Sequence, residues 1–469
     1  MSVYLLHLAS THAHFHLPEL ETLAKIENVE FWLIPKSEYL NVAFKSDKSR
    51  NQALFSHAIK EFQDSISPND ATTQNPFMLA VVNSNEDARR WIRRSIFCKG
   101  IYEIYCIGDS FTRLHEKMKE LNPAPWDSFK HNSSYKFTFE TFGTRRTMKE
   151  QLSIISDFEY MQLQGPVSMH NPQHVFTVLE NRRNNVEGPK VYFGHWCGSG
   201  SRDAIDTFDL KQRSYIGITS FDAELSLVTA QMAMAAPGKL IYDPFVGTGS
   251  FLYTCSFFGA HTLGSDIDGR QMRGKNGRSI KSNFRQYKLS PFFLDTFTGD
   301  VTNCPLRKNL LLDAIVCDPP YGVRAGAKKI AKCSQRPPKE SSSTGNHYPK
   351  LEQYQISDMV YDIICFASDR LVDGGRLVLW LPTITEEYGI DDIPSHPYLS
   401  LIYNSIQPFT HWSRRLLTFQ RLPRAHDSKS LNLLPKINNK TPSHHNFREK
   451  YFSSAGRASA STKFSPVLE

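Results

Sequence analysis

Asp318-Pro319-Pro320-Tyr321 follows a short apolar run, DAIVC, and its residue types suit one kind of chemistry. Two prolines cannot continue a strand ladder, so the backbone turns out where the run ends. That turn leaves the Pro319 carbonyl free to point into a cleft. With the Asp318 carboxylate it presents two acceptors to the two hydrogens of an exocyclic amine. Tyr321 offers a flat face on which a base can stack, a contact worth ~1–3 kcal/mol. An aromatic amine is a poor nucleophile because its lone pair is delocalised into the ring. Acceptors that hold both hydrogens favour a pyramidal nitrogen, whose lone pair can attack an electrophilic methyl group. Orientation and electrostatics drive such an in-line displacement. Read alone, the tetrapeptide is also an ordinary turn. Cys317 lies inside the apolar run and reads as packing, not as a nucleophile.

Upstream, KLIYDPFVGTGS passes from an apolar stretch ending in Asp243 into a helical pattern through Gly247 and Gly249. Glycines at such a turn let the backbone approach a ligand and leave helix-start N–H groups pointing at it. The next apolar stretch, LGSDID, ends in Asp266 and Asp268, 17 and 19 residues beyond Gly249. Asp266 is placed to accept hydrogen bonds from ribose hydroxyls, and Asp268 to cap a helix that starts near Gly269. Asp300, in Thr298-Gly299-Asp300, either holds an adenine amino group or caps a helix. A dinucleotide is poorly served, because GxGxxL lacks the third glycine of its fingerprint. An acid at the end of the first strand also repels a pyrophosphate. A nucleoside carrying positive charge, S-adenosylmethionine, suits Asp243 instead.

These turns need a scaffold, and from about residue 210 the pattern alternates helix and strand. DAELSLVTAQMAMAA, KLIYD, SFLYTCSFFGA, HTLGSDID, a helix over 270–287, FFLDTFTGD, DAIVCDPPY, ISDMVYDIICFASDRLV and RLVLWLP follow in order. Alternation at this spacing predicts a doubly wound α/β sheet with helices on both faces. LSLIYNSIQPF and RRLLTFQRL then predict a terminal antiparallel hairpin. Residues 1–185 read differently, as α+β: short strands (VYLLHLA, VEFWLIP, LNVAF, FMLAVVN, YKFTFETFG) alternate with helices such as PELETLAKI and RNQALFSHAIKEFQDSI. Residues 186–209 read as a connector with a short strand, KVYFGH, and 210–425 as the catalytic domain. Residues 324–349 read as a flexible insertion, and 426–469 as a disordered basic tail.

The chain has 469 residues, 40% apolar and 12% aromatic, which excludes a disordered protein and leaves room for two or three domains. No apolar run is long enough to span a membrane, and MSVYLLHLAS reads as a first strand instead of a signal peptide. The net charge is +8, yet 324–349 holds six basic side chains against Glu340, and 426–469 seven against three acids. The remainder is close to neutral, so bulk charge does not mark a basic folded surface. Eight cysteines never stand closer than eight apart, which supports neither a zinc knuckle nor a disulfide framework. Reduced thiols in a cytoplasmic protein are expected. HAHFH places His12, His14 and His16 on one side of a strand, but no nearby acid or cysteine completes a metal site, and none is expected.

DPF-x-GTGS followed by DPPYG resembles the class I (Rossmann-like) methyltransferases of exocyclic base amines. RSYIGITSFDAELSLVTAQMA (213–233) is similar to the segment before the first strand of the eukaryotic and archaeal tRNA guanine-N2 methyltransferases, which modify the guanosine at position ten. That family has Met where Phe221 stands here. Residues 137–180 resemble its THUMP RNA-binding region. The resemblance covers about 1–425. It implies that Thr219 and Ser220 lie near the cofactor, and that Asp243, Gly247, Asp266 and Asp300 bind S-adenosylmethionine. Phe245, Gly249 and Ile267 complete the expected cofactor contacts, and Asp318, Pro319, Pro320 and Tyr321 the catalytic set. It further implies a tRNA substrate and a small zinc-binding activator subunit.

With the resemblance added, three readings compete. The first is a tRNA guanine-N2 methyltransferase. The second is a DNA adenine or cytosine amine methyltransferase, since the same tetrapeptide serves those bases, although it leaves residues 1–185 without a use. The third is a catalytically silent RNA-binding scaffold, against which the intact turns argue. For RNA contacts, Arg145, Arg146 and Lys149 near aromatic rings compete with a solvated helix start. Arg414 and Arg415, with His411 and Trp412, are placed to line a groove from the terminal hairpin.

Overall fold

Apolar runs without alternation, such as VYLLHL, form strands that are covered on both faces. In the computed structural model that run is β1 (Ser2–Leu8), buried at six of its seven positions. The structure describes residues 2–41, 48–65, 75–131, 133–183, 190–323, 327–331, 350–423 and 441–459. The chain divides into two units, 1–203 and 204–469.

In the first unit β1 joins β2 (Phe31–Leu33), β3 (Phe77–Val82), β4 (Cys98–Gly108), β5 (Tyr135–Phe142), β6 (His174–Asn181) and β7 (Val191–Gly198). Their order is β2-β3-β1-β4-β7-β6-β5, antiparallel except for the β5–β6 pair. Tyr4, Leu6 and Leu8 pack on one face with Leu20 and Trp91, while Val3 and Leu5 pack on the other with Trp32 and Tyr102. The stretch read as a connector thus supplies β7, seated between β4 and β6, because KVYFGH offers buried apolar positions to both sides. HAHFH is not a strand: His12 is left-handed (φ 55°), Ala13–Phe15 form a 3-10 turn, and the His16 ring is buried against the Thr11 carbonyl at 2.8 Å. The three histidines therefore share no strand face. LNVAF begins in a 3-10 turn, Lys36–Asn41, and its remainder lies outside the described residues.

In the second unit β8 (Leu240–Asp243), β9 (His261–Asp266), β10 (Phe293–Thr298), β11 (Leu312–Cys317), β14 (Leu371–Ile384), β15 (Leu399–Pro408) and β16 (Trp412–Arg421) form the order β10-β9-β8-β11-β14-β16-β15. The first five are parallel, and β16 and β15 close the sheet antiparallel, as the hairpin reading expects. The chain reverses its direction of winding between β8 and β11, and ligands bind outside the carboxyl ends of strands at such a switch point. The helix expected over 270–287 is broken into Gly269–Arg273 and Ile280–Gln286. Gly274 causes the break: at φ +66° it stands where a Cβ would meet the Arg278 carbonyl oxygen at 1.9 Å.

Two segments expected to be unstructured are partly described. From the insertion, β12 (Lys328–Ile330) pairs antiparallel with β13 (Leu351–Gln353), while 324–326 and 332–349 lie outside the described residues. From 426–469, residues 441–459 carry a helix, Phe447–Ser459, with Ser443, His444 and Phe447 buried. A few anchoring side chains seat this segment in place of a continuous apolar stripe, which is why periodicity does not reveal it. Residues 426–440 and 460–469 lie outside the described residues.

A buried carboxylate ties the first unit together. Glu19 accepts from the Ser95 hydroxyl (2.6 Å) and from the N–H groups of Ile96 (2.6 Å) and Phe97 (3.1 Å). Burial pushes its carboxyl up to about 7 against these bonds. The unfolded chain titrates this group near 4.5, so between those values the folded state holds more proton. The group's contribution to stability is therefore full below about 4.5 and declines as pH rises toward about 7. Glu19→Gln is expected to flatten the pH dependence of the first unit's urea midpoint between pH ~5 and ~7. An unchanged slope in that variant would show that other groups carry it.

Candidate active site

The carboxyl ends of β8 and β11 place Asp243 and Asp318 side by side in the fold, with Asp266 at the end of β9. The glycine turn after β8 is held by its own backbone. Phe245 N–H donates to Asp243 Oδ1 (2.9 Å), Val246 N–H to the Ser265 carbonyl (2.9 Å) and Gly249 N–H to the Val246 carbonyl (2.7 Å). Gly249 is left-handed (φ +86°) and caps the helix Ser250–Phe257, where a Cβ would press on the Tyr253 hydroxyl at 2.9 Å. A Cβ on Gly247 would meet nothing closer than Gln271 at 3.8 Å, so this side of the turn faces open space.

Asp268 caps a helix as expected, and Asp266 fastens the glycine turn. Asp266 Oδ2 accepts from Gly247 N–H (2.9 Å) and Oδ1 from Asp268 N–H (2.8 Å), which locks the glycine turn to the end of β9. Each oxygen retains a second acceptor site for a hydroxyl. Asp268 caps the helix Gly269–Arg273 and pairs with Arg270 at 2.9 Å, a bond that holds its carboxyl below the usual range. Ile267, between them, is half-buried. Asp300 stands at the turn after β10 and braces the neighbouring backbone. Its carboxylate accepts from Thr302 N–H (3.0 Å), the Thr302 hydroxyl (3.0 Å) and Ile330 N–H (2.8 Å), so it ties β12 to the turn after β10.

The electrostatics are set by burial of like charges. Desolvation pushes Asp243 well above the ordinary carboxylate range, and Asp266 and Asp318 push it further. Burial also raises Asp266. Asp318 is raised to about 6 by burial, with Arg414 and the Tyr321 hydroxyl pulling the other way. That hydroxyl donates a short hydrogen bond to Asp318 Oδ1. Tyr321 is thus folded back on Asp318, with its ring edge-on to Trp412 (6.5 Å) and Phe447 (6.2 Å). A cationic ligand would favour the ionised form of these crowded carboxyls, whereas a pyrophosphate would oppose it.

Further residues brace the site, and sequence reasoning did not single them out for that role. Ser220 Oγ meets Thr248 Oγ1 at 2.7 Å, and Ser250 Oγ takes Phe221 N–H (3.1 Å) and Arg213 (2.9 Å). These contacts staple 213–222 to the glycine turn and bring Ser220 to the site, while Thr219 is exposed.

The expected RNA contacts fare unevenly. Arg145 and Lys149 are exposed. Arg146 is clamped on buried Glu180 by two bonds of 2.6 and 2.7 Å, so it serves the structure of the first unit. Arg415 is buried over the Tyr388 ring and bonded to Thr383 and Asn404, and does not line a groove. Arg414 lies over the Phe221 ring at 4.1 Å and Trp380 at 4.8 Å, bonded to Gln407 and 3.8 Å from Asp222. Charge alone does not distinguish a groove residue from one that neutralises a buried acid. Among the described residues no group of three His, Cys, Asp or Glu could hold a metal, and no helix is long and apolar enough to cross a membrane.

Residues 57–202 match a family model described as the Tmrp11 THUMP N-terminal domain, and 211–333 match one described as an RMKL-like methyltransferase domain. The chain is similar to the tRNA (guanine(10)-N(2))-methyltransferase of Saccharomyces cerevisiae, with 35% identity over 472 residues covering 96% of this chain and 99% of that one. It is 32% identical to tRNA (guanine(10)-N(2))-methyltransferase TRMT11 of Homo sapiens, over 96% of this chain and 95% of that protein.

The arrangement around Asp318 can be read directly by carbon NMR of labelled aspartate. The Asp318 carboxyl is expected to titrate near 6, and higher in Arg414→Gln and in Tyr321→Phe, since each removes a group that lowers it. Titration unmoved in both variants would contradict the contacts described here.

Proposed function

The chain belongs to the tRNA (guanine(10)-N2)-methyltransferase family, and from that premise we propose that it methylates the exocyclic N2 amine of a guanosine in tRNA, at position ten, in the cytoplasm. The observation that carries this reading is the pairing of Asp318–Tyr321 with the Asp243 glycine turn at one switch point. S-adenosylmethionine, when bound, supplies a methyl group on a positively charged sulfur. Asp243 and the open face of Gly247 would hold it, Phe245 and Ile267 would border it, and Asp266 would take its ribose hydroxyls. Asp300 braces Thr302 and Ile330, and the acceptor site left on its Oδ1 would take the adenine amino group.

Asp318 and the Pro319 carbonyl would accept the two amine hydrogens and turn the nitrogen lone pair toward the methyl group. Once the nitrogen–carbon bond forms, that nitrogen must release a proton. Asp318, raised to about 6, is matched to receive it near neutral pH and pass it to water. The resemblance supports a tRNA substrate for the first unit and a small zinc-binding activator as partner. The activator would be tested by whether the purified chain gains turnover when it is added. The THUMP match over 57–202 favours RNA over DNA as the substrate.

Nucleoside mass mapping of tRNA from cells lacking the protein should show N2-methylguanosine lost at one position. Its full retention would refute the proposal. Asp318→Ala should abolish transfer and leave S-adenosylmethionine affinity within a few-fold. Asp266→Ala should weaken that affinity by ~1.5–3 kcal/mol, the worth of hydrogen bonds to a charged acceptor. Below pH about 6 Asp318 takes up a proton and loses an acceptor, so turnover should rise as pH climbs through that value. Asp318→Asn keeps a carbonyl acceptor that does not titrate, so its residual activity should lack this acid limb.

A further inference from the structure

The segment 441–459 and the hairpin tip build a surface that the mechanism above does not use. Phe447 is only 2% exposed, with its ring 6.2 Å from Tyr321 and 5.6 Å from Trp412. The segment is anchored by its own bonds: Lys450 Nζ to Glu387 (2.5 Å) and to the Ser443 carbonyl (3.2 Å), and His445 to Ser357 (3.3 Å). Outward from Phe447 the rings continue. Trp412 lies parallel to Phe409, with centroids 4.2 Å apart and planes at 11°, and Tyr451 meets Trp412 at 5.9 Å. Phe452 follows at 5.4 Å from Tyr451. Phe409 is 40% exposed and Phe452 52%. Arg448, one helical turn before Phe452, is exposed.

We propose that the hairpin tip and the helix Phe447–Ser459 form a stacking surface for unpaired nucleotides of the RNA beside the target guanosine. This rests on the RNA methyl-transfer reading. The surface begins at Tyr321, so whatever occupies it lies next to the amine being read. An amine within a stacked helix cannot reach a buried acceptor pair, so the target base must leave its stack at a cost of a few kcal/mol. Exposed rings that receive the neighbouring bases offset that cost, because every base has a flat face and stacking needs no particular sequence. An exposed guanidinium at the rim suits the phosphates that accompany those bases. A protein partner seated on the same rings is the competing occupant.

The test uses the full-length chain, a tRNA transcript and four variants: Phe409→Ala, Phe452→Ala, the double variant and Arg448→Gln. Melting temperatures should fall only slightly, since Phe409 and Phe452 are partly exposed and lose one ring contact each. Each ring variant should bind tRNA about ten-fold more weakly at every salt concentration, with an unchanged salt slope, because stacking releases no counterions. Arg448→Gln should flatten the slope by about one, as the loss of one phosphate contact does. S-adenosylmethionine affinity should not move. A double variant that binds tRNA as wild type does, or that loses only the activator, would overturn the proposal. Wild-type chain that binds tRNA but methylates no guanosine would instead sink the functional reading, and the ring variants would still report on binding.

Discussion

Burying several carboxylates at one end of a parallel sheet is costly, and much of the second unit is arranged around that cost. Asp243, Asp266 and Asp318 close three strands of one switch point, and burial raises all three. A buried charge persists only where hydrogen bonds or opposite charge compensate it. Backbone N–H groups of the glycine turn supply part of the compensation, which is why that turn is pinned to Asp243 and Asp266. The remaining negative potential is what a cationic ligand would meet.

Asp318 has a different solution. The Tyr321 hydroxyl and the nearby Arg414 guanidinium hold it. Arg414 is itself over-determined, with Phe221 and Trp380 rings beneath it, Gln407 bonded to it and Asp222 at 3.8 Å. An aromatic ring at 221 gives the guanidinium a π face that a methionine lacks. The antiparallel hairpin is therefore more than a closing edge. It carries Arg414 and Trp412 on one strand, and with them the charge balance and the aromatic border of the site.

A separate logic governs the first unit. Its sheet is covered on both faces, and two buried acids, Glu19 and Glu180, hold loops and an arginine in place. Such bonds specify one packing at the expense of tolerance to change, since removing either partner strands a buried polar group. Of the cations in the expected RNA set, Arg145 and Lys149 are exposed.

The sequence by itself determined the parts whose chemistry is local. A proline pair ends β11 wherever it lies, a glycine pair opens the turn after β8, and alternation of apolar runs with helical patterns dictates a parallel sheet. Asp268 could be read as a cap because its partner stands two residues away. The tertiary structure alone decided which charged groups face each other. Asp300 braces Ile330, Arg146 is held by Glu180 and Arg415 lies on Tyr388, pairings that join residues far apart in the chain or across strands. Helix Phe447–Ser459 is not legible in the sequence for the same reason. Its seat is made by Tyr321, Trp412 and Glu387, and a helix fixed by a few distant anchors leaves no periodic trace in its own residues.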